Sequence, residues 1–218
     1  MFIELLGSNP NFYFMCVLIV IFSVCCHEYM HARAALWQGD STAADLGHLT
    51  LNPLKQMGAF PIIMLLIIGI TWGQVPVNPS RMKHRYSDAL VSFAGPFANL
   101  MLFLVFSIAT AVVLVKYPQT VHLTSSSAFG ALLLFYHAAM LNILLFIFNM
   151  LPIPILDGYN VFSFMFPGVH NINQELKNGM IAILFILVLF TFDKLQNLCY
   201  LITQFAVDIF RNVLGFIA

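Results

Sequence analysis

Residues His27 to His31 read HEYMH. Histidines four positions apart lie on one face of a helix, one turn from each other, so two imidazole nitrogens can converge on one ion. Zinc takes such nitrogens at about 2.0–2.1 Å. Glu28 is turned about 100° from His27 around the helix, which sets its carboxylate beside such an ion, where it can exchange a proton with water. The chemistry on offer is metal-assisted hydrolysis. The competing reading is two histidines and a glutamate that satisfy one another. An unpaired glutamate inside an apolar helix is costly, however, and an ionisable group at membrane depth marks function by default. Catalytic zinc sites use three protein ligands and keep a fourth position open. Elsewhere in the apolar sequence the one deep acidic residue is Asp157, in NMLPIPILDG, residues Asn149 to Gly158. Pro152 and Pro154 remove two backbone donors and break a helix there. Unwound backbone at membrane depth is tolerated where it packs in protein or lines a wet cavity. A plain Asp-Gly surface turn is the alternative.

The elements that must position these groups follow from composition. Of 218 residues, 61% are apolar and only 8% charged, against roughly 25% charged in a soluble domain. Net charge is zero, so there is no basic field for nucleic acid. The chain belongs in a bilayer. No Asp, Glu, Lys or Arg falls in residues 5–26, 89–115 or 117–156, and a span needs about 20 mostly apolar residues. The first stretch predicts a helix from about Phe12 past Cys26, the second a span from Ala89 to Val115. The third is divided by a loop, Pro118 to Ser127, leaving a span from Ala128 to Phe148. Met1 to Pro10 has no basic residue, so the first run reads as a retained span and not as a signal peptide.

Residues 59–72 are too short to cross comfortably and suit a re-entrant or interfacial segment. Residues 179–192 make a short terminal span. Beyond Asp193 and Lys194, Leu195, Leu198, Ile202, Phe205, Ile209 and Val213 recur at helical spacing, an amphipathic helix for the interface or a partner subunit, so a homo-oligomer is among the expectations. If residues 59–72 do not cross, Arg33, Lys55, Arg81, Lys83, Arg85 and Lys177 share one face, against Lys116, Lys194 and Arg211. That bias makes the first face cytoplasmic. Cys16, Cys25, Cys26 and Cys199 show no C-x-x-C spacing and read as buried thiols. Nothing indicates a second domain. The expectation is one unit over residues 1–218, an all-α polytopic bundle of about four spans plus the short segment, with small extended or β segments at the membrane face. His137 reads as a packing histidine that could instead support a ligand. Asn99 is expected to pair with another helix, with Gly95 and Ala98 letting backbones approach.

The whole pattern resembles the site-2 protease family of intramembrane zinc metalloproteases, in the short bacterial branch without appended domains. HEYMHA resembles the family's metal-binding helix and NMLPIPILDG its second signature. GDSTAADLGHLTLNPLK (39–55), VPVNP (75–79) and FAGPFANL (93–100) resemble, in order, the stretches between. The resemblance implies one zinc per chain on His27, His31 and Asp157, Glu28 as catalytic acid/base, and Asn149 as a polar group near the substrate carbonyl. It implies peptide-bond hydrolysis in or near transmembrane segments of membrane proteins, in a multi-pass protein of the cell membrane. The chain departs from the branch at His48, Gln56 and Gly58, where arginine, histidine and aspartate are common. These departures bear on substrate choice more than on the chemistry. TLNP and VPVNP, both extended in character, could offer a substrate strand an edge. A metal-handling transporter on the same ligands would show repeated halves with a broken segment in each, and only the one around Pro152 is clear. An inactive, binding-only relative would have no need of Glu28.

Overall fold

The computed structural model describes residues 2–119, 127–166, 168 and 173–217. A short helix α1 (Glu4–Ser8) leads into α2 (Pro10–Trp37). Asn9 starts α2, its side chain accepting from the Phe12 N–H, and Pro10 fills the first turn where no donor is needed. After α2 come two single turns, α3 (Thr42–Asp45) and α4 (Pro53–Gln56), then α5 (Ala59–Ile68), which Gly69 ends in the left-handed conformation. A 3-10 turn at Pro79–Arg81 precedes α6 (Ser87–Lys116), α7 (Ser127–Asn149), α8 (Asp157–Met165) and α9 (Gln174–Ile217).

Three of these helices, α2, α6 and α7, are long and apolar enough to cross a membrane. At about 1.5 Å per residue each exceeds the roughly 30 Å hydrocarbon layer. Their bounds lie within a few residues of the expected spans, except that α2 runs on to Trp37. Helix α6 sits at the centre and packs against α2, α7, α8 and α9. The contact faces carry small or polar residues: Ala34, Ala35, Val91 and Ala94 form one cluster, and Ser107, Thr110 and Asn142 are fully buried. Large apolar side chains such as Leu18, Phe22 and Val105 point outward. Small residues inside and apolar ones outside is what helix association in lipid requires.

The segment between α2 and α6 makes an excursion that starts and finishes at the same end of α2. Helix α5 begins beside Val24 and Cys25 and runs back along α2 until the Leu66 carbonyl meets the Tyr13 hydroxyl at 2.7 Å. The chain then returns without regular secondary structure through residues 70–78. Asp40, fully buried just beyond α2, accepts the Asn78 N–H at 2.6 Å and two donors of Thr42. Burial opposes its charge, but these donors and nearby Arg81 hold the carboxyl below the usual carboxylate range, so the anchor is ionised at neutral pH. The Gln38 carbonyl likewise receives the Lys83 N–H at 2.9 Å. Single cysteines introduced near Lys55 and near Lys83 are therefore expected to react with an impermeant thiol reagent from the same side of the membrane. Labelling from opposite sides would overturn this topology.

Two details differ from the expected pattern. Among the described residues there is no strand. TLNP turns into α4 at Pro53, and VPVNP forms no ladder, its segment sharing one backbone bond with α4 (Gln74 N–H to Gln56 carbonyl, 3.0 Å). And α9 is continuous through Asp193–Lys194, because the change there is in hydropathy only and neither residue breaks a helix.

Candidate metal centre

His27 and His31 lie on the buried face of α2, and α6 runs antiparallel across them. Val91, Gly95 and Asn99 recur at helical spacing on α6 and meet the two imidazoles in reverse order. The Nδ1 of His31 lies 2.7 Å from the Val91 carbonyl, and the Nδ1 of His27 lies 2.7 Å from Asn99 Oδ1. A carbonyl oxygen can only accept, so His31 donates from Nδ1; the same role for Asn99 Oδ1 puts the His27 proton on Nδ1. Each Nε2 is then left with a lone pair. Gly95 stands opposite both, and a Cβ there would run into the Nε2 atoms of His31 and His27. Pro96 deprives the Ser92 carbonyl of its usual intrahelical donor in the same turn.

Asp157 arrives from the other side. After Asn149 the chain leaves helix through Pro152 and Pro154, with Ile155 at φ 87°. A β-branched residue in that region is strained, and the turn it makes delivers Asp157 at the first position of α8. Gly158 allows this approach, since a Cβ there would strike the Met150 and Leu151 backbone. Asn160 Nδ2 donates to Ser92 Oγ at 3.0 Å and ties α8 to α6.

The result is three acceptors facing one another. His27 Nε2 lies 3.0 Å from Asp157 Oδ2, His31 Nε2 lies 3.4 Å from Asp157 Oδ1, and the two Nε2 atoms are 2.9 Å apart. With both imidazoles neutral, two lone-pair nitrogens face a carboxylate, an arrangement that a shared proton or a metal cation holds together. Ligands about 2.0–2.2 Å from one tetrahedral ion sit roughly 3.3–3.6 Å from each other; the His31–Asp157 separation of 3.4 Å falls in that range, and the other two, at 2.9 and 3.0 Å, are somewhat shorter. The donor set fits a divalent, imidazole-preferring metal such as zinc.

Glu28 is buried beside this group at 8% exposure. The returning Ile70–Asn78 segment crosses it so closely that a Cβ on Gly73 would collide with its carboxyl group. Of the other expected residues, Asn149 ends α7, half-buried, its amide donating to the Leu145 carbonyl at 3.0 Å. His137 bonds the Leu133 carbonyl and packs its ring on Phe12 and Tyr136, so it is a packing histidine. Asn99 does pair with another helix, as expected, but it also holds His27. The spacing of Gly95 and Asn99, one turn apart like the histidines, was the available signal for that. Gly73 carried none, because its role depends on where the excursion returns.

A family model described as peptidase family M50 matches residues 112–191. The chain is 36% identical to "Putative zinc metalloprotease YwhC" of Bacillus subtilis (strain 168) over 180 residues, 81% of this chain and 80% of that one. It is 33% identical to "Putative zinc metalloprotease Rip2" of Mycolicibacterium smegmatis over 146 residues, 64% of this chain and 52% of that one. With the Rip2 of Mycobacterium tuberculosis (strain H37Rv) it shares 33% over 183 residues, 80% of this chain and 66% of that one. No solved structure gives a match.

Proposed function

Because the chain belongs to peptidase family M50, the site-2 proteases, we propose that it is an intramembrane zinc metalloprotease that cleaves peptide bonds in or beside transmembrane segments of membrane proteins, as in regulated intramembrane proteolysis. The observation that carries this is the meeting of His27 Nε2, His31 Nε2 and the Asp157 carboxylate with Glu28 buried alongside. One zinc per chain on those three residues supplies, when bound, Lewis-acid polarisation and water of lowered pKa. Glu28 takes the proton of the attacking water and returns it to the leaving amine. Its burial under Gly73 keeps that carboxylate away from bulk solvent. Asn149, at the end of α7, turns its amide from the Leu145 carbonyl to the developing oxyanion, a contact of the kind worth about 10²–10³ in rate. A helical peptide bond hides its carbonyl in an intrahelical bond, so the substrate unwinds to react. The Ile70–Asn78 segment beside Glu28 offers backbone groups for it to pair with.

In the membrane, α9 supplies a fourth span through residues 179–192, and the excursion through α5 is re-entrant. The basic residues near the C-terminal end of α2 and the start of α6 put that end, and the metal centre near it, toward the cytoplasm. The reading is tested on purified protein in detergent with a transmembrane substrate. Stripping the metal with a chelator such as 1,10-phenanthroline is expected to stop cleavage, and added zinc to restore it. Cleavage that continues on metal-free protein would overturn the proposal.

A further inference from the structure

Beyond the metal ligands, one buried chain of side chains runs from α7 through α6 to His27. Asn142 Nδ2 donates to the Ala138 carbonyl at 2.8 Å and to Ser23 Oγ at 2.9 Å. Asn142 Oδ1 accepts from Asn99 Nδ2 at 3.0 Å, and Asn99 Nδ2 also points at the Ser23 carbonyl, 3.5 Å away. Asn99 Oδ1 then meets His27 Nδ1 at 2.7 Å. Ser23, Asn99 and Asn142 are all fully buried, so water cannot stand in for a missing partner.

We propose that Asn142 is a positioning residue that fixes the tautomer of His27 through Asn99. This rests on His27 being a metal ligand. The two ends of an asparagine amide have the same shape, so its direction is set by what surrounds it. The Ala138 carbonyl can only accept, and it therefore draws the amino end of Asn142. That leaves the Asn142 oxygen facing Asn99, which must present its own amino end; the Ser23 carbonyl demands the same. The Asn99 oxygen is thereby turned to His27, whose Nδ1 must carry the proton, and Nε2 faces Asp157 and His31 with its lone pair free. Reversing the Asn142 amide sets amino group against amino group and oxygen against oxygen, and reversing the Asn99 amide sets its oxygen against the Asn142 oxygen and the Ser23 carbonyl, in a dry interior. His31 needs no such relay, because the Val91 carbonyl meets its Nδ1 directly. A backbone carbonyl in α7 thus does for His27, through two amides, what one in α6 does for His31.

The test is zinc affinity, measured by competition with a chelator of known affinity, on folded protein in detergent. Asn142→Leu is expected to weaken zinc by up to about 10–100-fold, the cost of losing a ligand's supporting bond, here because the Asn99 amide is no longer held toward His27, with helix content by circular dichroism unchanged. Asn142→Ala serves the same comparison if the leucine variant does not fold. Asn99→Ala, which removes the amide that faces His27, is expected to weaken zinc at least as much. In the Asn99→Ala background, where no amide is left for Asn142 to direct, Asn142→Leu should then change affinity little, a strong departure from additivity. A role in packing alone would cost the same in both backgrounds, and that result, or parental affinity in Asn142→Leu itself, would overturn the proposal. Full zinc affinity in His27→Ala would instead overturn the ligand assignment on which it stands.

Discussion

Glu28→Gln is expected to bind zinc at about one per chain and to lose cleavage by at least 10²–10⁴-fold, the range that positioned proton transfer supplies. The loss falls at the upper end or beyond, since one carboxylate serves first as base and then as acid. Glutamine has the shape of glutamate, so the close passage of Gly73 over this side chain is undisturbed and the fold is expected to stay intact. The variant also separates roles. Retained zinc with lost cleavage makes Glu28 catalytic. Cleavage near the parental rate would remove it from the mechanism, and loss of zinc together with unfolding would make it structural.

The second large effect is at Gly95. Replacing a helical glycine with alanine normally favours the helix by up to about 1 kcal/mol. Here the added methyl points into the two Nε2 atoms, an overpacking that costs about 1–3 kcal/mol and outweighs that gain. Gly95→Ala is expected to lose zinc affinity by about 100-fold or more, exceeding the effect of removing a ligand's supporting partner, while helix content by circular dichroism holds. Parental zinc binding in this variant would mean that the nitrogens face elsewhere.

Much of this architecture could be read from residue spacing, and the reasons are local. The charge-free runs gave α6 and α7 almost to the residue, since nothing charged enters those spans. HEYMH placed two nitrogens on one face because the helix repeat does so regardless of context, and Pro152 and Pro154 marked the break that presents Asp157. What stayed hidden depends on register between helices. That Asn99 lies level with His27, and Val91 with His31, follows from how α6 slides against α2, which no single segment encodes. Gly73 is opaque for the same reason: its contact with Glu28 depends on where the returning chain is tied, at Gln74 to Gln56 and at Asn78 to Asp40. The continuity of α9 is not legible in hydropathy, which changes at Asp193 although the backbone has no reason to break there. His48 and Gln56 depart from the family pattern. The structure gives Gln56 a definite local task, its amide nitrogen bonding the His48 and Thr50 carbonyls beside the backbone bond to Gln74.

The central claim is that His27, His31 and Asp157 together hold one metal ion. It is tested most directly by the zinc content of purified protein, parent beside Asp157→Ala, measured by elemental analysis on the folded fraction. Removing the carboxylate leaves two neutral nitrogens where catalytic sites use three ligands. The account predicts about one zinc per chain in the parent and a small fraction of that in the variant. Full occupancy in Asp157→Ala would contradict it.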